Sequence, residues 1–320
     1  MTAPTNEPDH TPGASSDATR SASQRSGGRS RPDAQSPDAA HEAGTDASAQ
    51  ALAITPEAIG RVIDAVRDAA PLTQCMTNAV VTGFTANVLL AVGASPAMVD
   101  SLEEGPIFAG IADGLLVNVG TVTAATAEAM RATAAARAEA GRPWCLDPVA
   151  VGTLPVRTQL ARDLLEHAPA VIRGNASEVL GLAGEQGAGR GVDAGDDVDA
   201  TLAAASRLAE RTGGAVAVSG AVDAVVAPGA PTVRIGNGDA IMTKVTGVGC
   251  ALGALVAAYL PVAGSAQLAA AAATATMTLA AEDAAHWASG PGSFAVELLD
   301  ALARLEGDSV AATLDLRVAS

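Results

Sequence analysis

Aromatic side chains make up only 2% of this chain, so there is no platform on which nucleobases or sugars could stack. Positive charge is equally scarce. Lysine and arginine total 19 against 35 aspartates and glutamates, a formal net charge of −16, and Lys244 is the only lysine. Such a surface repels nucleic acid and anionic membranes, which excludes both as partners. The cysteines, Cys75, Cys145 and Cys250, are odd in number and lack metal-type spacing, which suits a reducing cytoplasm and makes structural disulfides unexpected. None of His10, His41, His167 and His286 has a partner at metal or triad spacing, so core or surface roles fit them. Glu103-Glu104 reads as a solvated turn.

Long apolar runs are also missing. The stretch from 251 to 281 is broken by Pro261, Gly264, Ser265 and Gln267 into two small-residue helices, too short and too interrupted for a membrane span. What the chain does have is 49% hydrophobic residues over 320 positions and a mean hydropathy of +0.27, enough for a substantial core. Almost none of that apolar content lies in residues 1–52. This segment of Ser, Ala, Asp, Pro, Gly and Thr cannot bury enough surface to offset its ordering entropy, and it is expected to be a disordered tail. It has neither the apolar centre of a secretory signal nor the acid-poor composition of a transit peptide. Residues 53–320 read as a single domain.

From Ile54 onward helix and strand signals alternate. Thr55-Pro56-Glu57 caps a helix whose apolar face is Ile59, Val62, Ile63 and Val66, ended by Pro71. Thr82–Leu90 follows as a helix, then strands at Ser95–Val99 and Gly114–Gly120, a helix at 124–140, a strand at 144–147, a helix near 157–166, and a strand at 170–173. A helix over 198–211 leads to the strand Ala215–Ser219. Repeated strand–helix units with short links imply an α/β fold, with a largely parallel central sheet flanked by helices on both faces and ligands bound beyond the strand C-termini.

The chain's organising stretch is Lys244-Val-Thr-Gly247-Val-Gly249-Cys250, followed at once by an apolar helix. A glycine turn opening a helix leaves backbone N–H groups unpaired at the positive end of the helix dipole, an anion cradle, although such a turn can also be a plain tight connection. The other conspicuous polar residues close strands: Asp147-Pro148, Arg173-Gly-Asn-Ala-Ser-Glu178 and Ser219-Gly220. Asp147 and Glu178 would share an exposed rim where two carboxylates can hold a hydrated Mg²⁺, and Arg173 could meet phosphate oxygens. Taken singly, the same residues also fit turns and caps, with Ser177 or Asn175 capping a helix and Glu178 completing its first turn.

Six motifs in order resemble the hydroxyethylthiazole kinases of the ribokinase-like superfamily: Cys75-Met-Thr-Asn78 with Phe84-Thr-Ala-Asn87, Gly93-Ala-Ser-Pro-Ala-Met98, Leu146–Gly152, Ile172–Glu178, Lys244–Cys250, and Gly290-Pro-Gly-Ser-Phe294. The resemblance covers about residues 54–306. It implies ATP-dependent phosphorylation of the primary alcohol of hydroxyethyl-methylthiazole in thiamine salvage, Mg²⁺ dependence, and a cytoplasmic homotrimer with active sites between subunits. It also implies that Met98 and Gly247 contact the thiazole, that Arg173 and Ser219 contact ATP, and that Asp147 and Glu178 surround Mg²⁺. The chain departs from the family pattern at Ser219 and Val248, where the family usually has threonine. Related sugar kinases carry an aspartate base at the position of Cys250. A helix N-terminus can lower a thiol pKa, so Cys250 is read as a candidate base, the alternative being a small residue that shapes the pocket. Another small-molecule alcohol kinase of this superfamily and a non-catalytic thiazole-binding protein are the rival readings.

Overall fold

The computed structural model of the chain describes residues 53–185 and 198–319. The tail expected over 1–52 lies outside the described residues; Ala49–Ser320 fall in one compact unit. Its elements in order are α1 (Pro56–Ala69), β1 (Leu72–Met76), α2 (Thr82–Ala91), β2 (Ser95–Ala97), α3 (Gly105–Ile111), β3 (Gly114–Asn118), α4 (Ala124–Glu139), β4 (Cys145–Asp147), α5 (Pro155–Leu165) and β5 (Val171–Asn175). There follow α6 (Ala176–Ala183), α7 (Val198–Thr212), β6 (Ala215–Ser219), β7 (Asp223–Val226), β8 (Thr232–Ile235), α8 (Val248–Tyr259), α9 (Ala266–Trp287), α10 (Pro291–Arg304), α11 (Gly307–Thr313) and β9 (Leu316–Ala319).

The strands form one sheet in the order β2-β1-β3-β4-β5-β6-β7-β8-β9. Pairing is parallel from β2 through β6 and antiparallel from β6 through β9. The parallel strands are apolar on both sides because both sides are covered. Leu116, Cys145 and Val171 point into a core shared with α1, α2, α8, α9, α10 and α11; Leu115, Leu146 and Ile172 point into a second core built with α4 to α7.

The helix starts follow local chemistry. Thr55 accepts the Ala58 amide at 3.2 Å with proline in the first turn of α1, and Ser265 accepts the Leu268 amide at 3.1 Å to open α9 after the break at Pro261 and Gly264. The region 251–281 is thus two buried helices, and no described helix is long and apolar enough to cross a membrane.

Several features differ from the sequence reading, which also left β1 and α11 unassigned. The antiparallel extension β7–β9 and the short helix α3 carry little periodicity of their own. The C-terminal end of α3 is held by Arg137, a buried side chain that donates to the carbonyls of Ala109 and Ala112, both at 2.7 Å. In addition, β5 runs on to Asn175, so Arg173 lies in the middle of the strand rather than closing it.

Candidate active site

Strands β3, β4 and β5 pack against α8, and β6 brings Ser219 beside Arg173 of β5. Gly247 caps that helix in the left-handed region, at φ 101°, and a Cβ there would stand 2.7 Å from Val81 Cγ1, so the position demands glycine twice over. The Ala251 amide bonds to the Gly247 carbonyl at 2.8 Å, and no side chain caps the helix. The amides of Val248, Gly249 and Cys250 therefore have no intrahelical acceptor and form the cradle that the glycine turn implied. A Cβ on Gly249 would lie 2.9 Å from Arg173 Nη1, and one on Gly253, a turn later, 3.3 Å from Asp147 Oδ2. The missing side chains of α8 are what let this helix pass so close to the arginine and the aspartate.

Both carboxylates are buried, which corrects the expectation of an exposed rim. Asp147 is fully enclosed; Asn118 Nδ2 donates to its Oδ2 at 2.6 Å, while its Oδ1 has no hydrogen-bond partner. Burial pushes the Asp147 carboxyl up to about 7; Arg173 opposes that rise, Glu178 adds to it, and the Asn118 bond opposes it. Glu178 is spoken for on both oxygens: Oε2 accepts the Asn175 amide at 2.9 Å and Oε1 the Ala150 amide at 3.0 Å. Asn175 Oδ1 in turn accepts the Glu178 amide at 2.9 Å, so a complete capping box closes α6. Ala150 reaches Glu178 only by adopting a left-handed φ of 58°, and Thr121, beside the same rim, sits at 48°. Two non-glycine residues in that region mark a loop held in place by its surroundings.

Arg173 Nη2 donates to Ser219 Oγ at 2.7 Å, so the structure brings these two sequence-predicted residues into contact. Cys250 is half-enclosed, and Asn78 Nδ2 lies 3.1 Å from its sulfur. Burial pushes the Cys250 thiol above its usual range and the nearby Asp147 adds to the rise, outweighing the bonds from Asn118 and Asn78 and the charge of Arg173. The helix N-terminus on which the candidate-base reading rests is present, and burial acts against it. Cys75 and Cys145 are buried, and burial carries the Cys75 thiol to about 12.

Met98 stands apart from this cluster. It follows β2, which β1 and β3 separate from β4, a span of about 14 Å at ordinary strand spacing. Its segment is fixed by buried Gln74, whose Nε2 donates to the carbonyls of Val99 at 2.9 Å and Gly105 at 3.1 Å.

Sequence reasoning missed Asn118 as a site residue and treated Asn78 only as part of a motif. A lone asparagine at the end of an otherwise apolar strand was the available signal for Asn118. Asn118 Oδ1 also accepts the Gly120 amide at 2.9 Å, so one side chain ties β4 to the turn after β3. Among the described residues no group of three or more His, Cys, Asp or Glu is placed to hold a metal ion. The orphaned Asp147 Oδ1 nonetheless fits Mg²⁺, which keeps most of its water and needs only one or two carboxylates.

Comparison with known proteins agrees with this architecture. A ribokinase-like superfamily protein from Enterococcus faecalis superposes with a TM-score of 0.56 at 13% identity, covering 79% of this chain and 96% of that one, and so speaks to the fold alone. The structure of a hydroxyethylthiazole kinase protein from Pyrococcus horikoshii OT3 gives a TM-score of 0.75 at 33% identity, covering 82% of this chain and 99% of its own. A hydroxyethylthiazole kinase of Clavibacter sepedonicus is 55% identical over 246 residues, 77% of this chain and 89% of that protein. A sequence model of the hydroxyethylthiazole kinase family matches residues 63–308, and with the open α8 N-terminus set beside Arg173 of β5 and Asp147 at the end of β4, the chain belongs to that family.

Proposed function

We propose that the chain transfers the γ-phosphoryl group of ATP to the hydroxyl of 4-methyl-5-(2-hydroxyethyl)thiazole, a step of thiamine salvage. The observation that carries this reading is the uncapped N-terminus of α8, set beside Arg173 in a chain of this family. In-line phosphoryl transfer asks for alignment and charge neutralisation more than for covalent chemistry. The amides of Val248, Gly249 and Cys250 supply fixed dipoles toward the transferring group, and Arg173, anchored on Ser219, meets the phosphate oxygens.

Asp147 would hold Mg²⁺, and Glu178 would face the same ion through water while keeping its capping bonds. When bound, Mg²⁺ neutralises the phosphate charge that develops during transfer. Cys250, un-ionised at neutral pH, borders the acceptor hydroxyl beside Asn78 rather than acting as the principal base. A loose transition state asks little of a base, because proton loss lags behind phosphoryl migration.

Gly247 lines the thiazole pocket with its backbone. Met98, with Phe84, packs on the core that also holds Val248 at the start of α8, and the homotrimer with active sites between subunits is proposed on the family resemblance. Exposed Val80, Ile107 and Ile111, near the β2 side of the sheet, give such an assembly apolar surface to cover. Three free cysteines and the absence of any described membrane-spanning helix accord with a cytoplasmic location. Residues 53–320 would carry the whole activity.

The test is a coupled ADP-release assay with Mg-ATP over a panel of alcohols. Thiazole-dependent ADP release, with identification of the thiazole phosphate, supports the reading. Faster turnover of another alcohol reassigns the substrate; tight thiazole binding without turnover makes the protein a binder.

A further inference from the structure

We infer that Asn118 is a positioning residue for Asp147, holding one carboxylate oxygen so that the other stays open to a divalent cation; the inference rests on the proposed contact of Asp147 with Mg²⁺. The two residues close neighbouring strands and are paired in the parallel register of β3 and β4. Both side chains are fully buried, on strands that are otherwise apolar. A polar amide in such a place costs stability unless its atoms find partners.

Those partners fix which way the amide points. Asn118 Oδ1 accepts the Gly120 amide at 2.9 Å, and Asn78 Nδ2 lies 3.5 Å from the same oxygen, so both neighbours on that side are donors. Turning the amide over would set N–H groups against N–H groups and an oxygen against a carboxylate. Nδ2 is therefore committed to Asp147, donating to its Oδ2 at 2.6 Å. Helix α8 closes on that oxygen as well, since a Cβ on Gly253 would stand 3.3 Å from it, whereas Asp147 Oδ1 has no hydrogen-bond partner. A bond from a side chain to the amide two residues on is served by aspartate as well as by asparagine, so the turn alone does not call for this residue. What asparagine adds is a neutral donor. It fixes the carboxylate without cancelling its charge, as an arginine or lysine there would, and leaves that charge for a cation.

The test compares Asn118→Leu, Asn118→Ala, Asp147→Asn and Thr121→Ala with the wild-type chain. For each, the Mg²⁺ concentration that half-saturates binding of a fluorescent non-hydrolysable ATP analogue is read by anisotropy, alongside the KM for thiazole and the melting temperature. Asn118→Leu keeps the size of the side chain and removes the donor. It should raise the half-saturating Mg²⁺ concentration about tenfold, the lower end of what losing the partner of a metal ligand costs, with the KM for thiazole unchanged. Asn118→Ala leaves room for a water to serve the Gly120 amide, so it folds even if Asn118→Leu does not, and it should shift in the same direction. Thr121 Oγ1 accepts the Ala79 amide at 2.9 Å, so Thr121→Ala loosens the same turn without touching Asp147 and should leave the Mg²⁺ requirement at its wild-type value. A wild-type Mg²⁺ requirement in both Asn118 variants, alongside a raised one in Asp147→Asn, overturns the inference and leaves the metal site intact, whatever the melting temperature does. An unchanged requirement in Asp147→Asn overturns the metal-site reading itself, and this inference with it. A rise in Thr121→Ala as large as that in Asn118→Leu assigns the effect to the turn, which also overturns it.

Discussion

Two helices begin on the same rim, and they end their N-termini in opposite ways. The first turn of α6 is closed by its own side chains: Asn175 and Glu178 exchange a full set of capping bonds, and the spare Glu178 oxygen takes the Ala150 amide. At α8 the capping position is Gly247, which has nothing to offer, and three amides are left without an intrahelical acceptor, with Arg173 close beside Gly249. An uncapped helix end leaves amides free to meet an anion, and with Arg173 beside it the second end is the one proposed to receive a ligand. The difference lies in the residue types at the caps, asparagine against glycine, and it separates a self-capped helix start from an open one.

The sharpest way to break this contrast is to fill the open end. Gly249→Val drives a branched side chain into Arg173 and the cradle, and kcat/KM should fall about 10³-fold, at the upper end of what a lost oxyanion donor costs. Steady-state kinetics on folded protein checks this. Opening the closed end should act on stability instead. Asn175→Ala removes the α6 cap, worth about 1 kcal/mol, and should lower the melting temperature by about 2–4 °C while kcat/KM changes less than tenfold. Thermal unfolding and kinetics on the same preparation separate the two effects.

Cys250 offers a smaller test of what the open end does. Because burial raises its thiol pKa, the thiolate is scarce at pH 7, and alkylation by iodoacetamide should accelerate only as pH climbs past the usual thiol range near 9.0. Cys250→Ala should accordingly lower kcat by less than about tenfold, below the usual worth of a general base. The smallest effect belongs to the tail: deleting residues 1–50, which lack apolar periodicity, should leave melting temperature and turnover unchanged.

The sequence pointed to an open helix start because two glycines flank a single residue before an apolar run, a pattern that a plain tight connection shares and that the uncapped α8 N-terminus matches. Asp147, Arg173, Glu178 and Ser219 stood out because apolar strands rarely end in such groups by chance. Depth was not legible. Asp147 is buried because α8 passes over it at Gly253, a contact between residues more than a hundred positions apart in sequence. The Cys250 thiol could not be assigned for the same reason, since dipole and desolvation push in opposite directions and only the enclosure decides between them. Strands β7, β8 and β9 are four residues each, and β9 pairs with β8 from the far end of the chain, so local pattern could not announce them. Asn118 was visible but looked like the tail of a strand; its role depends on the parallel register that sets it opposite Asp147.

The central claim, that the open end of α8 receives the transferring phosphate while the closed end of α6 does not, can be read from backbone amides. In ¹⁵N-labelled protein titrated with a non-hydrolysable ATP analogue, Mg²⁺ and the thiazole alcohol, the amide resonances of Gly249 and Cys250 should move downfield as they gain anionic acceptors, and those of Ser177 and Glu178 should stay in place. Unmoved Gly249 and Cys250 resonances at saturating nucleotide, or shifts confined to the α6 N-terminus, would contradict the account.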